Sequence, residues 1–340
     1  MERDGTGTRR GARCAAFGRS LAGVAALGLA LGAGAAAAAA ADFPAKAIHL
    51  VVPFASGGAA DITGRLVGQE LALRAGQTVL IENRPGGSTQ VGTEYVAAAE
   101  PDGYTILLGT SSIVLAAVLD PKATINAQRD FVALANIASA PFVWIVGSEL
   151  PVRNLAEFIA YAKANPGKAS FGTSGAGSSK HLSGELLNLR GAIKMVHVLY
   201  KSESNAVTDV AGGHLFAAPA SYGALAAQLG GNRLRPIAVT GRTRMKALPN
   251  VPTMEESGMT PYQIEFWNGL FAPIKTPAPV VERLSALIVE SIRAAHVTQR
   301  LEDLGFRVEA SNSAAFGRQI GEDARRWGDI IRSTGVVLAR

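Results

Sequence analysis

Cysteine is almost absent from this chain: Cys14 is the only one in 340 residues. It precedes an apolar run instead of following it, which misplaces it for a lipid anchor at a cleavage site. A chain with one thiol forms no internal disulfide and holds no cysteine-type zinc site. Aromatic residues are scarce, at 6%, and no block of lysine or arginine stands out after the first residues. Nucleic acid is therefore excluded as a partner class, because its footprint is a basic patch interleaved with stacking rings. The five histidines, His49, His181, His197, His214 and His296, form no H-x-x-x-H or H-E-x-x-H pair. That spacing is what sets two ring nitrogens on one helix face, so no metal site is expected. Tandem repeats are missing, and nothing implies a cofactor.

What is present begins with a leader. Residues 1–41 carry five arginines against Glu2 and Asp4, then "LAGVAALGLALGAGAAAAAAA", ending in small residues before Asp42. Basic, then apolar, then small is the order of a secretory signal peptide. A retained membrane anchor is the rival reading, but the strongly apolar part is short of the ~20 residues a span needs. Arg9-Arg10 leaves Sec and twin-arginine export both open. The leader accounts for +3 of the formal +6, so the remainder is only mildly basic. Export without disulfides points to a bacterial envelope protein whose core is large enough to dispense with staples. The remaining 299 or so residues are long for one core, and two domains are expected.

After the leader, short apolar runs alternate with longer amphipathic stretches. "AIHLVVPF", "TVLIEN", "YTILLG" and "FVWIVG" read as buried strands. "ADITGRLVGQELALRAG" places Ile62, Leu66, Val67, Leu71 and Leu73 near helical spacing, with Gly76 as its stop. "TQVGTEYVAAAEPDG" reads as a second helix ended by Pro101. Further on, Asn154 caps "LAEFIAYAKANPG", "KASFGTSG" is a strand and turn, "SSKHLSGELLNLRG" a helix, "IKMVHVLY" a strand and "SNAVTDVAGG" a short helix. "RLRPIAVTG" is another strand, "QIEFWNGLFAP" an extended crossing segment, and two helices, "APVVERLSALIVESIRAAH" and "SAAFGRQIGEDARRWGDIIRSTG", close the chain. Strand alternating with helix predicts an α/β protein with mostly parallel sheets. Two such sets joined by crossing segments predict two lobes.

In open α/β sheets, ligands bind beyond the carboxyl ends of the strands, and clefts between domains are favoured pockets. The βα turns are thus the places to search. The first is Phe54-Ala55-Ser56-Gly57-Gly58, with Asp61 in the first turn of the following helix, where a carboxylate suits the dipole. Its glycines let backbone N–H groups approach an anion; a plain tight turn fits the same residues. The second is "GTSGAGSSKHL", with hydroxyls at Ser174, Ser178 and Ser179. A nucleophile elbow needs G-x-S-x-G, and Gly172-Thr173-Ser174-Gly175-Ala176 lacks the last glycine. A phosphate loop needs Gly-Lys-Ser/Thr, and Gly177 is followed by Ser178. Ser178 also fits a simple N-cap, and His181 fits either ligand contact or packing. A third turn, "ENRPGGST", offers Ser88 or Thr89 as a helix start.

Taken in order, the blocks "FPAKAIHLVVPFASGGAADITGRLV", "GQTVLIENRPGGSTQVGTEYVAAAEPDGYTILLGTSS", "GKASFGTSGAGSSKHLSGELL", "VHVLYKS", "LRPIAVTG" and "ALPNVPTMEESG" resemble the Bug-type, TctC-like substrate-binding proteins of tripartite tricarboxylate transporters. The resemblance spans essentially the whole chain after the leader. It implies a two-lobed periplasmic-binding-protein fold of type II-like form, with residues 42–142 and 266–340 in one lobe and 143–265 in the other. It implies a periplasmic, non-enzymatic, monomeric receptor that captures a small organic acid in the cleft and hands it to integral-membrane permease subunits. It implies contact from Phe54, Ala55, Ser56, Gly57, Gly58, Asp61, Ser88 and Ser111 in the first lobe, and from Ser174, Gly175, Gly177, Ser178, Ser179, His181, Tyr200, Lys201 and Ser221 in the second. A receptor feeding a sensor kinase, and a serine hydrolase using Ser174 or Ser178 with His181, are the alternatives.

The chain departs from the family pattern at three points. Lys180 stands where asparagine is usual before the histidine, "PYKGGG" reads "LYKSES", and an Asp-Asn turn is replaced by Ala220-Ser221. Loss of acids at that turn favours a ligand without an amino group; Glu203, if it faces the cleft, argues the other way.

Overall fold

The computed structural model describes Met1 and residues 43–120 and 122–334. The expected leader lies outside the described residues. Among those described, eleven strands form two sheets.

The chain starts with β1 (Ile48–Val52), α1 (Ala59–Ala75), β2 (Val79–Asn83), a 3-10 turn (Gly87–Thr89), α2 (Gln90–Ala97) and β3 (Thr105–Thr110). Strand β1 is almost wholly apolar because it is covered on both faces, while β2, at the sheet edge, is only half-buried. Helix α1 ends as its sequence predicts, on Gly76 in the left-handed region at φ 64°. α2 ends at Ala97, a turn short of Pro101. Then come α3 (Ser111–Leu119), α4 (Ala127–Asp130) and the long strand β4 (Phe131–Pro141).

One residue, Phe142, separates β4 from β5 (Val143–Gly147) of the second sheet. That sheet is built with α5 (Leu155–Ala164), β6 (Ser170–Thr173), α6 (Ser179–Gly191), β7 (Val196–Leu199), α7 (Glu203–Ala211), β8 (Ala217–Ala220), α8 (Tyr222–Leu229) and β9 (Leu234–Val239). The chain returns to the first sheet with β10 (Glu265–Pro273), and ends with α9 (Ala278–Ile292), α10 (Ala295–Asp303), β11 (Arg307–Ser311) and α11 (Ser313–Thr334).

The first sheet runs β2-β1-β3-β10-β4-β11, and the second runs β7-β6-β8-β5-β9. Each contains a parallel trio in which the first strand lies between the second and third: β2-β1-β3 and β7-β6-β8. An antiparallel strand flanks each trio on the side of its third strand, β10 beside β3 and β5 beside β8. The two lobes thus repeat one topology. Each has its switch point between its first and third strands, where the connections depart in opposite directions.

Three apolar cores hold these layers. One lies under α1, α9 and α10 on the first sheet, with Val67, Leu71, Leu284, Ile288 and Leu301 fully buried. Another lies under α7 and α8 on the second, around Ile145, Val207 and Leu225. The third is continuous between lobes: it runs from Val51 and Leu107 through Trp267, Phe271, Phe316 and Trp327 to Trp144, Phe158 and Phe171. Helix α11 spans it, touching β4 and α3 in one lobe and α6 in the other.

Three readings of the sequence need correction. The sheets are mixed, not mostly parallel: each parallel trio is extended by antiparallel strands, β10, β4 and β11 in the first sheet and β5 and β9 in the second. The stretch "QIEFWNGLFAP" is mostly not a crossing: Glu265–Pro273 is the central strand β10, and only the residues before it pass between lobes. The end of the chain is not two helices. The first predicted helix breaks at Arg293–Ala294, and α10 and β11 intervene before α11. The polar alternation of "RVEAS", on an edge strand, carries little apolar signal.

Candidate functional site

The turn after β1 is exposed from Ala55 to Gly58, while Asp61 behind it is buried. Gly57, at φ 88°, turns its N–H inward to donate to Asp61 Oδ2 at 2.8 Å. The Ser56 hydroxyl reaches the same oxygen at 3.3 Å, and Arg65 Nε donates to it at 3.0 Å from one helical turn on. Asn83, at the end of β2, donates from Nδ2 to Asp61 Oδ1 at 2.8 Å and to the Phe54 carbonyl at 3.1 Å. Burial alone would raise the Asp61 pKa. The hydrogen bonds from Arg65, the Gly57 N–H and Asn83, with the Arg65 charge, outweigh it and hold the carboxyl well below the usual range. Asp61 is therefore a fixed anion that shapes the turn, and both its oxygens already meet protein donors.

The turn after β6 repeats this design. Gly177, at φ 76°, donates its N–H at 3.1 Å to His181 Nδ1, four residues on, as Gly57 does to Asp61. Both helices begin one residue after an extended N-cap, Gly58 or Ser178, so Asp61 and His181 hold the same third position. Because Nδ1 accepts, the His181 proton sits on Nε2, which faces Glu185 Oε1 at 3.5 Å. The His181 ring stacks on His197 at 3.8 Å between centroids, and His197 Nε2 meets the Thr173 hydroxyl at 2.7 Å. Burial and the neighbouring His181 push His197 down to about 4, against the pull of Glu185. Ser178 is the N-cap: its hydroxyl donates to the Gly175 carbonyl at 2.8 Å and accepts from His181 N–H at 3.2 Å. Both His181 ring nitrogens thus face groups other than a serine, and Ser174 is exposed.

The other expected residues also lie at carboxyl ends of strands. Ser111 is buried as the first residue of α3, directly after β3. Ser88 falls in the 3-10 turn after β2. Tyr200 and exposed Lys201 follow β7; the Tyr200 hydroxyl donates to Asp209 at 2.8 Å, and burial with that carboxylate pushes its pKa up to about 12. Ser221 follows β8 and caps α8. The structure therefore gathers Phe54–Gly58 with Ser111 at one switch point, and Ser174–Ser179 with Ser221 at the other. Helices α3 and α6, which start at these two points, touch each other.

Sequence reasoning passed over two partners of the first turn. Asn83 and Arg65 hold Asp61: Arg65 lies one helical turn on, at the i,i+4 spacing of a helical ion pair, whereas no spacing links Asn83, 22 positions away, to that carboxylate. It also treated Lys180, Glu203 and Ser221 separately. Lys180 Nζ lies 2.8 Å from Glu203 Oε2, and Ser221 donates to Glu203 through its N–H at 2.5 Å and its hydroxyl at 3.1 Å.

A cavity of about 230 Å³ lies away from these turns, between β10, β11 and α11. Several of its charges are paired: Arg307 grips Glu265 at 2.9 and 2.8 Å, Arg326 pairs with Asp323, and Trp267 Nε1 donates to Asp323 at 2.8 Å. It reads as an ion network behind the crossing segments.

Two lobes of 2-1-3 topology, each with a glycine-bearing turn at its switch point, define the class of periplasmic binding proteins. Residues 63–336 match the model of the tripartite tricarboxylate transporter family receptor, TctC, and the chain belongs to that family. It is 34% identical over 290 residues to a UPF0065 protein in the tcbD-tcbE intergenic region of Pseudomonas sp. (strain P51), covering 85% of this chain and 86% of that one. It is 30% identical to BugT of Bordetella pertussis, covering 87% and 91%. Among solved structures, R. palustris Rpa4515 with adipate matches at 30% identity and a TM-score of 0.76, over 86% of this chain and 99% of that one. MatC from Rhodopseudomonas palustris with bound malate matches at 29% and 0.72, over 85% and 100%. The resemblance drawn from the ordered sequence blocks is borne out, and the family is one of solute receptors.

Proposed function

We propose that this chain is an exported solute-binding protein that captures a small organic acid between its lobes and delivers it to integral-membrane permease subunits. One observation carries the reading: the two lobes present the same glycine turn at matching switch points, and the helices leaving those points touch. With the glycine N–H fixed inward, each turn leads into a helix start whose first N–H groups have no intrahelical partner, and these suit a carboxylate. The acids in the two R. palustris relatives, adipate and malate, support the ligand class. The lobes are taken as residues 42–142 with 266–340, and 143–265, in keeping with the membership of the two sheets. The contacts are taken as the turn residues named above, with Asp61 and His181 acting from behind them.

In this reading the protein works as a monomer in the periplasm, and closure about the crossing segments buries the ligand and signals occupancy. No step makes or breaks a bond, and the His181 geometry supports that. The test is a thermal-shift panel of organic acids on protein stripped of ligand by unfolding and refolding. A carboxylate that binds the folded state raises the melting temperature with concentration. A panel in which no acid does so overturns the reading.

A further inference from the structure

We propose that Glu203 sets the ligand class: it is an internal carboxylate filling the anion seat of the second lobe, so the cleft selects acids with one carboxylate and an uncharged far end over dicarboxylates. This deepens the carboxylate-binding reading above and rests on it.

Strand β8 ends at the second switch point, where its next N–H and hydroxyl, those of Ser221, are the donors a ligand anion would meet. In this chain both donate to Glu203, at 2.5 and 3.1 Å. The nearby cation of α6, Lys180, is taken by the same carboxylate at 2.8 Å. The pair is well covered, with side-chain exposure of 16% for Lys180 and 21% for Glu203, and the Lys180 ammonium lies 5.3 Å over the ring of Phe142, the residue that joins the two sheets. The cluster therefore sits at the inner end of the switch point, against the crossing segment, and does not wave on the rim.

Three elements converge on this carboxylate: the first turn of α6 through Lys180, the first residue of α7 as Glu203 itself, and the cap of α8 through Ser221. A second carboxylate arriving from a ligand finds the Ser221 donors and the Lys180 ammonium already engaged by Glu203, so it would lose its water without gaining a partner. Ligand ammonium groups gain little, because Lys180 already neutralises Glu203. An uncharged end needs none of these partners. The first-lobe turn also has an internal carboxylate, but Asp61 is buried behind the turn, where it takes the Gly57 N–H at 2.8 Å and the Ser56 hydroxyl at 3.3 Å from within, and the turn itself is exposed.

The experiment compares matched straight-chain acids, propionate against malonate through octanoate against suberate, by calorimetric titration of ligand-stripped protein. The wild type is expected to bind the monocarboxylates and to bind their dicarboxylate partners at least about tenfold more weakly. Glu203→Gln keeps an oxygen for the Ser221 N–H but releases Lys180, and is expected to reverse that order. Lys180→Gln, which disturbs the same pair while leaving the acid in place, is expected to keep the wild-type order. A wild type that binds dicarboxylates as tightly as monocarboxylates overturns the inference, and so does a folded Glu203→Gln variant with unchanged order. If Glu203→Gln does not fold, the wild-type order decides. Should no acid bind the wild type or either variant, the carboxylate reading itself falls, and this inference with it.

Discussion

At Asp61 and His181 the same geometric job is done by two different chemistries. Each accepts the N–H of a glycine four residues earlier and so fixes the turn that precedes its helix. The cost of losing each should differ, because their surroundings differ. Asp61 also satisfies Asn83 and the Arg65 guanidinium, so removing it strands several donors together. Asp61→Ala is expected to destabilise the protein by about 2–4 kcal/mol, through donors left unpaired and a broken ion pair. Ser56→Ala removes an exposed hydroxyl with a long 3.3 Å contact and should stay within about 0.5 kcal/mol. Urea denaturation of both variants measures this, and equal midpoints for the two would show that Asp61 does not hold the turn.

At the scale of elements, α6 packs against β6 and β7 through a stack of rings: Phe171 beneath His181 and His197. Its stability should depend on pH. His197 ordinarily titrates near 6.5, and in the fold near 4. Between those values the unfolded chain takes up a proton that the folded chain refuses. Stability therefore falls as the pH is lowered from 6.5 towards 4. The groups facing this ring are His181, Glu185 and the Thr173 hydroxyl. Burial alone would raise the Glu185 pKa, but hydrogen bonds from His181 and Asn188 hold it below its ordinary 4.5. Asp61 lies below its ordinary 3.8. Both carboxylates thus contribute stability above those ordinary values and lose it only in stronger acid, outside most of the His197 window. The urea midpoint is expected to drop from pH 7 to pH 5 in the wild type and to drop less in His197→Gln. Identical slopes would remove His197 as the cause.

This scale also shows what the sequence reveals and what it hides. Strands buried on both faces, such as "IHLVV" and "VWIVG", are legible because their apolar runs are short and bounded by turn residues. Helix ends with a chemical cap, Gly76, Asn154 and Ser178, fall where the sequence puts them. β4 escapes because "FVALANIASAP" is rich in alanine, and its strand state depends on pairing with β10 and β11 across the chain. The turns of the site are legible for the same reason as the caps: glycine and serine mark them locally. Their wiring is not, since the Lys180–Glu203–Ser221 cluster and the Asn83–Asp61 bond join elements that only the sheet order brings together.

For the whole molecule, the question is whether two lobes on two crossings behave as one body. The crossings are bound to each other at Thr240. Its hydroxyl accepts the Phe142 N–H at 2.9 Å and donates to the Ile264 carbonyl, while its own N–H donates to the Phe142 carbonyl at 2.9 Å. Thr240 is fully buried, and a core containing Trp144, Trp267 and Trp327 runs past it from lobe to lobe. In the proposed closure the lobes would rotate about these bonded crossing segments, with α11 bridging both sides. The shared core also ties the unfolding of one lobe to that of the other, so a single transition is expected. Thr240→Val keeps the shape but leaves the Phe142 N–H buried without its acceptor, which should cost about 1–3 kcal/mol; Thr240→Ser retains the hydroxyl and should cost less. Urea unfolding followed by tryptophan fluorescence and by circular dichroism checks both points. A lower midpoint with one coincident transition is expected for Thr240→Val, whereas two separated transitions in the wild type would mean that the lobes fold independently and that the crossing is only a tether.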